Sequence, residues 1–186
     1  MEYPWYEEIQ KSDNISQGDI ILNCMIPMPQ KEWFHALLNP DVPFESQALE
    51  IMQPDLIVLS QSCDIANNKI DSIVTCPIWN LTKWISVSDY NKSKNGKESL
   101  RQGKEPAYHL LNKYSSDGIT QEFSVVDFHR IYSLPKEYLK SYVETIKMRL
   151  RLLPPYREHL SQAFARYFMR VGLPTDISKE EIKKVK

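Results

Sequence analysis

The stretch Asp55-Leu56-Ile57-Val58-Leu59-Ser60 is a continuous apolar run that follows Pro54 directly. A short run of this kind, rich in β-branched residues and bounded by turn formers, is typical of a buried strand. The turn residues 67–69 separate it from a second β-rich segment, residues 70–79, in which positions 73, 74, 76 and 78 are apolar. These two segments predict strands, and they decide the fold class.

Further strands are predicted on both sides of this pair. Residues 20–26 form a β-rich run after Gly18-Asp19, which is turn chemistry. Residues 108–111 and 119–132 flank Ser-Ser-Asp-Gly at 115–118, which is a hairpin signal. Residues 90–105 are polar and are expected to form a loop. Four or five strands at such short spacing indicate a small antiparallel barrel or a sandwich.

Helices are expected mainly in the last third of the chain. Pro135 can open a helix at its first position, and the apolar residues that follow recur at helical spacing: Leu139, Tyr142, Val143, Ile146 and Leu150. Pro154-Pro155 interrupts the chain, and a second amphipathic helix is predicted over residues 156–171. Shorter helical segments are expected over residues 5–11 and 32–38.

Composition bounds the function. The 186 residues contain 42% hydrophobic and 25% charged residues, as expected for a globular domain. The 23 basic residues nearly cancel the 24 acidic ones, so any binding of nucleic acid must come from a local patch. The N-terminus is acidic and no apolar stretch is long enough to span a bilayer. We therefore expect a cytoplasmic protein that does not bind membranes.

The cysteine count excludes two further classes of protein. The three cysteines, Cys24, Cys63 and Cys76, are few, odd in number and without short paired spacing. This pattern argues against a disulfide framework and against a zinc site made only of cysteines. No close pair of metal ligands occurs, and we expect neither a metal nor another cofactor.

The order of the strands resembles that of the MazF/PemK-type toxins. Gly18-Asp19-Ile20 resembles their first strand, residues 54–60 their second and residues 73–78, with Pro77, their third. Residues 125–131 resemble the strand before their last helix, and 133–135 the entry to it. The likeness covers roughly residues 17–146. It implies an SH3-like barrel with a long first connection over residues 1–146, followed by a helical extension with a charged tail over 147–186.

The resemblance also implies a function. Many members of this family are dimers that cleave single-stranded RNA without a metal, and antitoxin proteins cover their RNA groove. The chain departs from the family at two positions: Gln53 stands where an Arg is usual, and Trp79 stands where a Thr is usual, with Thr82 three residues later. The family's catalytic residues therefore cannot be transferred one by one.

Two short strings carry candidate chemistry. Cys63 and Asp64 follow the end of the first buried strand, where side chains emerge at a surface. In a catalytic interpretation, Cys63 is a nucleophile and His109 or His129 is its base. In a structural interpretation, Cys63 is a small buried residue and the side chain of Asp64 caps a turn. Asp127 and His129 fall on one face of a predicted strand and would form an acid/base unit, or else a structural polar pair.

A ribonuclease site could be assembled from these residue types. Cleavage of RNA needs a base for the 2′-hydroxyl, an acid for the leaving oxygen and a cation for the phosphorane. His129, Asp64 and Arg130 provide such groups.

Basic residues concentrate in the last third of the chain. Residues 147–170 contain six basic residues and one acid. On a helical wheel, His159, Arg166 and Arg170 share a stripe beside an aromatic face. They could bind phosphates there, or the aliphatic parts of the arginine side chains could cover the apolar face of the helix. The candidate residues for binding nucleic acid or a partner are Arg149, Arg151, His159, Arg166 and Arg170.

Two classes of function follow. The first is a barrel that binds nucleic acid or a partner protein, such as an antitoxin or a defence-complex component, in a prokaryotic toxin–antitoxin or antiviral defence system. The second is a metal-independent endoribonuclease with a rebuilt site around Asp64, His129 and Arg130. A hydrolase that depends on Cys63 is a third possibility, and a homodimer is compatible with all three.

Overall fold

The computed structural model describes residues 3–43 and 49–169. The strands in this part of the chain are β1 (Tyr6–Gln10), β2 (Asp19–Ile21), β3 (Ile26–Pro29), β4 (Leu49–Met52), β5 (Asp55–Val58), β6 (Ser72–Asn80), β7 (Tyr108–Leu111), β8 (Tyr114–Ser115), β9 (Thr120–Gln121), β10 (Ser124–Asp127), β11 (Tyr132–Pro135) and β12 (Met148–Leu152). The helices are α1 (Lys31–Leu38), α2 (Ser62–Ala66), α3 (Leu81–Ile85), α4 (Asp89–Lys92), α5 (Lys94–Arg101), α6 (Lys136–Val143) and α7 (Tyr156–Phe168).

Eight strands form one curled antiparallel sheet, shaped like half a barrel, in the order β1-β12-β2-β5-β6-β10-β7. The eighth, β11, pairs with the first half of the long strand β6. Two small ribbons, β3-β4 and β8-β9, stand outside this sheet. The prediction of a mainly antiparallel β protein with a few helices is confirmed at this level.

The central strands are buried because both faces of the sheet are covered. Along β5, Leu56 and Val58 face one apolar cluster, whereas Ile57 faces the other. Three of the four β5 residues are buried, and β6 is buried over most of its length. This arrangement explains why the run 55–60 is continuously apolar instead of alternating.

One helix covers each face. The buried residues Leu160 and Ala163 of α7 belong to the cluster that contains Ile57. Leu139 and Val143 of α6 belong to the cluster that contains Leu56 and Val58. The apolar spacing that predicted these helices is therefore the spacing with which they pack against the sheet.

The stretch after residue 146 differs from the prediction. The helix expected to reach Leu150 ends at Val143, and β12 pairs with β1 and β2 inside the main sheet. Arg149 is 1% exposed and its Nε donates to Asp19 Oδ2 at 2.8 Å. Arg149 can be buried in this strand because Asp19 neutralises its charge. The helical extension expected from residue 147 begins only with α7.

Three other local predictions are corrected. Residues 6–10 form β1 instead of a helix, and the expected loop 90–105 contains α4 and α5. The expected strand 20–26 is interrupted at Asn23, whose φ of 51° lies in the left-handed region. The hairpin around 115–118 is confirmed: β8 pairs with β9 next to the turn, and β7 pairs with β10 farther from it.

None of the helices in the described residues combines the length and the apolar character that crossing a bilayer requires.

Candidate functional site

A group of polar and aromatic side chains lies on three neighbouring strands of the main sheet. Trp79 is near the end of β6, Asp127 is the last residue of β10, and Tyr108 is the first residue of β7. In the ladders, Trp79 stands opposite Val125, and Asp127 stands opposite Tyr108. The antiparallel order β6-β10-β7 therefore brings these positions to one region of the sheet.

Asp127 and His129 form a close pair in this region. His129 Nδ1 lies 2.8 Å from Asp127 Oδ1, and the backbone N–H of His129 donates to the same oxygen at 3.0 Å. The other carboxylate oxygen, Oδ2, accepts a hydrogen bond of 3.4 Å from Trp79 Nε1. The Asp127 side chain is 13% exposed and the His129 side chain 52% exposed. Asp127 thus anchors two side chains, one of which faces solvent.

This pairing determines the tautomer of His129. An ionised carboxylate only accepts hydrogen bonds, so Nδ1 of the imidazole carries the hydrogen. In the neutral ring, Nε2 then has a free lone pair and can take a proton. A carboxylate that orients an imidazole in this way is a recurring arrangement for general base chemistry.

Two tyrosines frame the imidazole of His129. The ring of Tyr108 lies 5.3 Å from it and that of Tyr167, on α7, lies 5.8 Å from it, both edge to face. Partial burial, together with the charge of Asp127, raises the pKa of the Tyr108 hydroxyl, which is therefore neutral near pH 7. The rings limit the directions from which a ligand can reach His129.

Trp79 carries two cations. The Nζ of Lys83, on α3, lies 3.6 Å from the centre of the Trp79 ring, and the guanidinium carbon of Arg130 lies 5.6 Å from it. Both distances are within the range of cation–π attraction. Trp79 is partly buried, whereas Lys83 and Arg130 are exposed. We call these three residues the Trp79 surface.

The strand predicted over 119–132 is shorter than expected. β10 ends at Asp127, and a turn carries the chain to β11 at Tyr132. The side chain of Asp127 forms this turn by accepting the His129 N–H, a common role of aspartate. His129 and Asp127 are therefore brought together by the turn and not by alternation along a strand.

Cys63 and Asp64 lie elsewhere, on the short helix α2. Cys63 is exposed, and its Sγ is 3.7 Å from Asp64 Oδ1, which also pairs with Lys69 at 3.7 Å. Within the described residues, no hydrogen bond or ion pair joins either side chain to His109 or His129. Neither of the two histidines proposed as its base therefore pairs with Cys63 in the described part of the chain.

The two other thiols are poor nucleophiles. Cys24 and Cys76 are buried in the core. Burial raises the pKa of the Cys24 thiol to about 11 and that of the Cys76 thiol to about 12. Both remain protonated at neutral pH.

Of the residues predicted to bind nucleic acid or a partner, those that the structure describes lie on two different elements, β12 and α7. Arg149 is buried, and both Arg149 and Arg151 pair with Asp19, so the guanidinium of Arg149 is not presented at the surface. The guanidinium of Arg149 also donates to backbone carbonyls of residues 10, 13 and 14. Its function is to hold the N-terminal segment on the sheet.

The basic stripe on α7 is only partly described. Arg166 and His159 are exposed on this helix, whereas Arg170 lies outside the described residues. Both groups lie close enough to lower the pKa of His109 on β7. This places the described part of the stripe beside β7.

Thr82 has a structural contact of its own. Its N–H and its hydroxyl both donate to Asn80 Oδ1, which caps α3.

Sequence reasoning found the pair Asp127–His129, because its two members are neighbours in the chain. It did not place Lys83, Tyr108 or Tyr167 beside this pair, because these residues come from three other elements. Among the described residues, no three His, Cys, Asp or Glu side chains are grouped so that they could hold a metal ion. No protein-family model matches the chain, and no curated protein matches it either.

Proposed function

We propose that the protein binds single-stranded RNA at the Trp79 surface. The observation that carries this proposal is the partly buried indole of Trp79 with the exposed cations Lys83 and Arg130 over its ring. A stacking base would take the place of the Lys83 ammonium on the ring, and the ammonium would then contact a phosphate. Aromatic rings on which bases stack, next to cations that contact phosphates, are the usual composition of single-strand binding sites. A stacked base contributes about 1–3 kcal/mol, which two cations can supplement by counterion release.

We further propose that the chain is an SH3-like barrel protein of the MazF/PemK type, acting in a toxin–antitoxin or defence system. The curled antiparallel sheet is compatible with such a barrel. In this reading Trp79, which stands where the family has a Thr, replaces a polar contact with a stacking surface. A partner protein that covers the Trp79 surface would compete with RNA and would act as an antitoxin.

The binding proposal is tested with a fluorescently labelled single-stranded RNA of mixed sequence. The double variant Lys83→Glu/Arg130→Glu is expected to bind roughly tenfold or more weakly than the wild type, because both phosphate contacts become repulsive. The double variant Lys11→Glu/Lys31→Glu is the matched control, since both lysines are exposed outside the Trp79 surface and the two substitutions make the same change of charge. The proposal is wrong if the wild type does not bind at low salt, or if the control loses as much affinity as the double variant.

RNA cleavage is the second candidate, and the pair Asp127–His129 favours it. In this reaction His129 Nε2 takes the proton of a 2′-hydroxyl, and the 2′-oxygen attacks the neighbouring phosphorus. The bond from phosphorus to the 5′-oxygen breaks, and that oxygen takes a proton from water. Arg130 would stabilise the charge on the phosphorane. The products are a 2′,3′-cyclic phosphate and a 5′-hydroxyl, and no metal takes part.

Cleavage is tested with the same RNA in the presence of a chelator. If His129 is the base, His129→Ala removes the activity and Asp127→Asn lowers it strongly, because the amide no longer holds the imidazole in the active tautomer. His35→Ala, an exposed histidine on α1, serves as the control. Binding without cleavage in the wild type excludes the ribonuclease and leaves the binding proposal intact.

A further inference from the structure

A separate cavity of about 390 Å³ lies between β7, the end of α5 and the start of α7. This volume is within the usual range for sites of small organic molecules. One wall is aromatic: Trp5 and Tyr156 stack with their ring centres 3.7 Å apart and their planes 11° apart. Phe123 and Leu110 add further apolar lining. The cavity therefore offers flat, apolar surfaces to a planar ligand.

The polar part of the lining contains an unusual histidine. His109, on β7, lines this cavity and also a smaller one of about 80 Å³ beside α7. Its Nε2 is fully buried, and no group among the described residues hydrogen-bonds to it. A buried polar atom without a partner costs free energy, so its retention calls for an explanation.

His109 is neutral at physiological pH. Burial, together with His159 and Arg166 on α7, lowers the pKa of its imidazole to about 4. A neutral imidazole presents one donor and one acceptor. Its Nε2 therefore offers one neutral hydrogen-bond donor or acceptor, which suits an uncharged polar edge of a ligand better than it suits an anion.

We propose that this cavity binds a nucleobase, with the base against the aromatic wall and its polar edge on His109 Nε2, which reaches the ligand when the imidazole turns towards the cavity. Water alone could satisfy the nitrogen but would leave the aromatic wall wet, whereas a purely hydrocarbon ligand would cover the wall but not the nitrogen. A planar ring with a hydrogen-bonding edge does both. This inference goes beyond the proposed function, because none of the cavity residues belongs to the Trp79 surface.

The proposal is tested by NMR of the full chain, with the four histidine imidazoles labelled. The probes are the four ribonucleosides, the four nucleoside monophosphates, and indene, an apolar bicyclic molecule of similar width to a purine. We expect at least one nucleobase compound to shift the His109 signals saturably, and indene to bind at least about tenfold more weakly, which is the value of one hydrogen bond to a buried group.

The variant His109→Phe keeps a ring of similar size but lacks the nitrogen. It is expected to remain folded and to bind the nucleobase probe at least about tenfold more weakly. His35→Phe is the matched control and should bind like the wild type. The proposal is overturned if no probe shifts His109 at millimolar concentration, if indene binds as tightly, or if His109→Phe binds unchanged.

The same titration with a short RNA identifies the source of the base. A free nucleotide site responds to the monophosphates, whereas a site for a base within a strand responds to the oligonucleotide alone. Either response supports the proposal. Since the Trp79 surface is tested by different variants, failure here does not affect the proposed function.

Discussion

Single buried ionic residues contribute strongly to the stability of this protein. Asp19 is fully buried and accepts hydrogen bonds from both Arg149 and Arg151. Removing one member of such a group leaves an unpaired buried charge, which costs about 3–5 kcal/mol. Asp19→Ala is therefore expected to lower the free energy of unfolding by this amount, as measured by urea denaturation.

The exposed ion pair between Arg101 and Glu98 provides the control for this prediction. Its Nη2–Oε1 distance is 2.6 Å, shorter than the 2.8 Å between Arg149 Nε and Asp19 Oδ2, but both side chains are exposed. Glu98→Ala should therefore leave the urea midpoint nearly unchanged. Equal losses in the two variants would show that burial does not control the contribution of Asp19.

His109 makes the stability of the protein depend on pH. Its pKa is lowered to about 4 in the folded protein and is near 6.5 in the unfolded chain. Between these values the unfolded chain binds more protons, so stability is fully present above about pH 6.5 and decreases as the pH falls towards 4.

The difference between wild type and His109→Phe tests this dependence. Urea denaturation at pH 7 and at pH 4.5 should show a larger loss of stability for the wild type than for the variant, because phenylalanine does not titrate. His35→Phe, which makes the same substitution at an exposed position of α1, is the control. The same loss in wild type and His109→Phe would contradict the assignment.

Among the secondary-structure elements, the junction of α4 and α5 requires a residue without a side chain at position 96. Replacing a helical glycine by alanine usually stabilises a helix by about 1 kcal/mol. In α5, however, a Cβ on Gly96 would lie 2.1 Å from the carbonyl oxygen of Tyr90. Gly96→Ala is therefore expected to destabilise the protein by about 1–3 kcal/mol, because backbone must move.

Gly118→Ala is the matched control for the junction. Its Cβ would lie 2.4 Å from Cε of Met148, the mobile end of a flexible side chain that can turn away. Thermal unfolding should show a marked drop in Tm for Gly96→Ala and a small change for Gly118→Ala. A higher Tm for Gly96→Ala would mean that α4 and α5 are not packed as described.

For the molecule as a whole, the near balance of charge makes RNA binding a local property. The net charge is −1, so no general attraction to polyanions adds to the contacts of the Trp79 surface. With one phosphate each for Lys83 and Arg130, the plot of log K against log salt should have a slope of about −1.4.

The double variant Lys83→Glu/Arg130→Glu should bring this slope close to zero. Affinities measured across a salt series for the wild type, the double variant and the control Lys11→Glu/Lys31→Glu test the point. A slope that persists in the double variant would place the phosphate contacts on other cations, such as Arg166 on α7.

The pattern of apolar residues correctly predicted those strands and helices whose apolar residues pack directly into the core. The run 55–60 is a strand because both of its faces are buried, and α6 and α7 occur where apolar residues recur at helical spacing. Asp127–His129 could be foreseen for a similar reason, since one turn joins residues that are two positions apart. Local patterns of this kind persist whatever the rest of the chain does.

Other features depended on partners that are far away in sequence. Leu150 fits both a helical spacing with the residues before it and the alternation of apolar residues in Met148–Leu152. The segment is a strand because β12 pairs with β1 and β2 and because Arg149 pairs with Asp19. The Trp79 surface, the rings around His129 and the cavity at His109 all combine side chains from different elements. Their positions follow from strand order and helix docking, because contacts between distant segments are established only when the core packs.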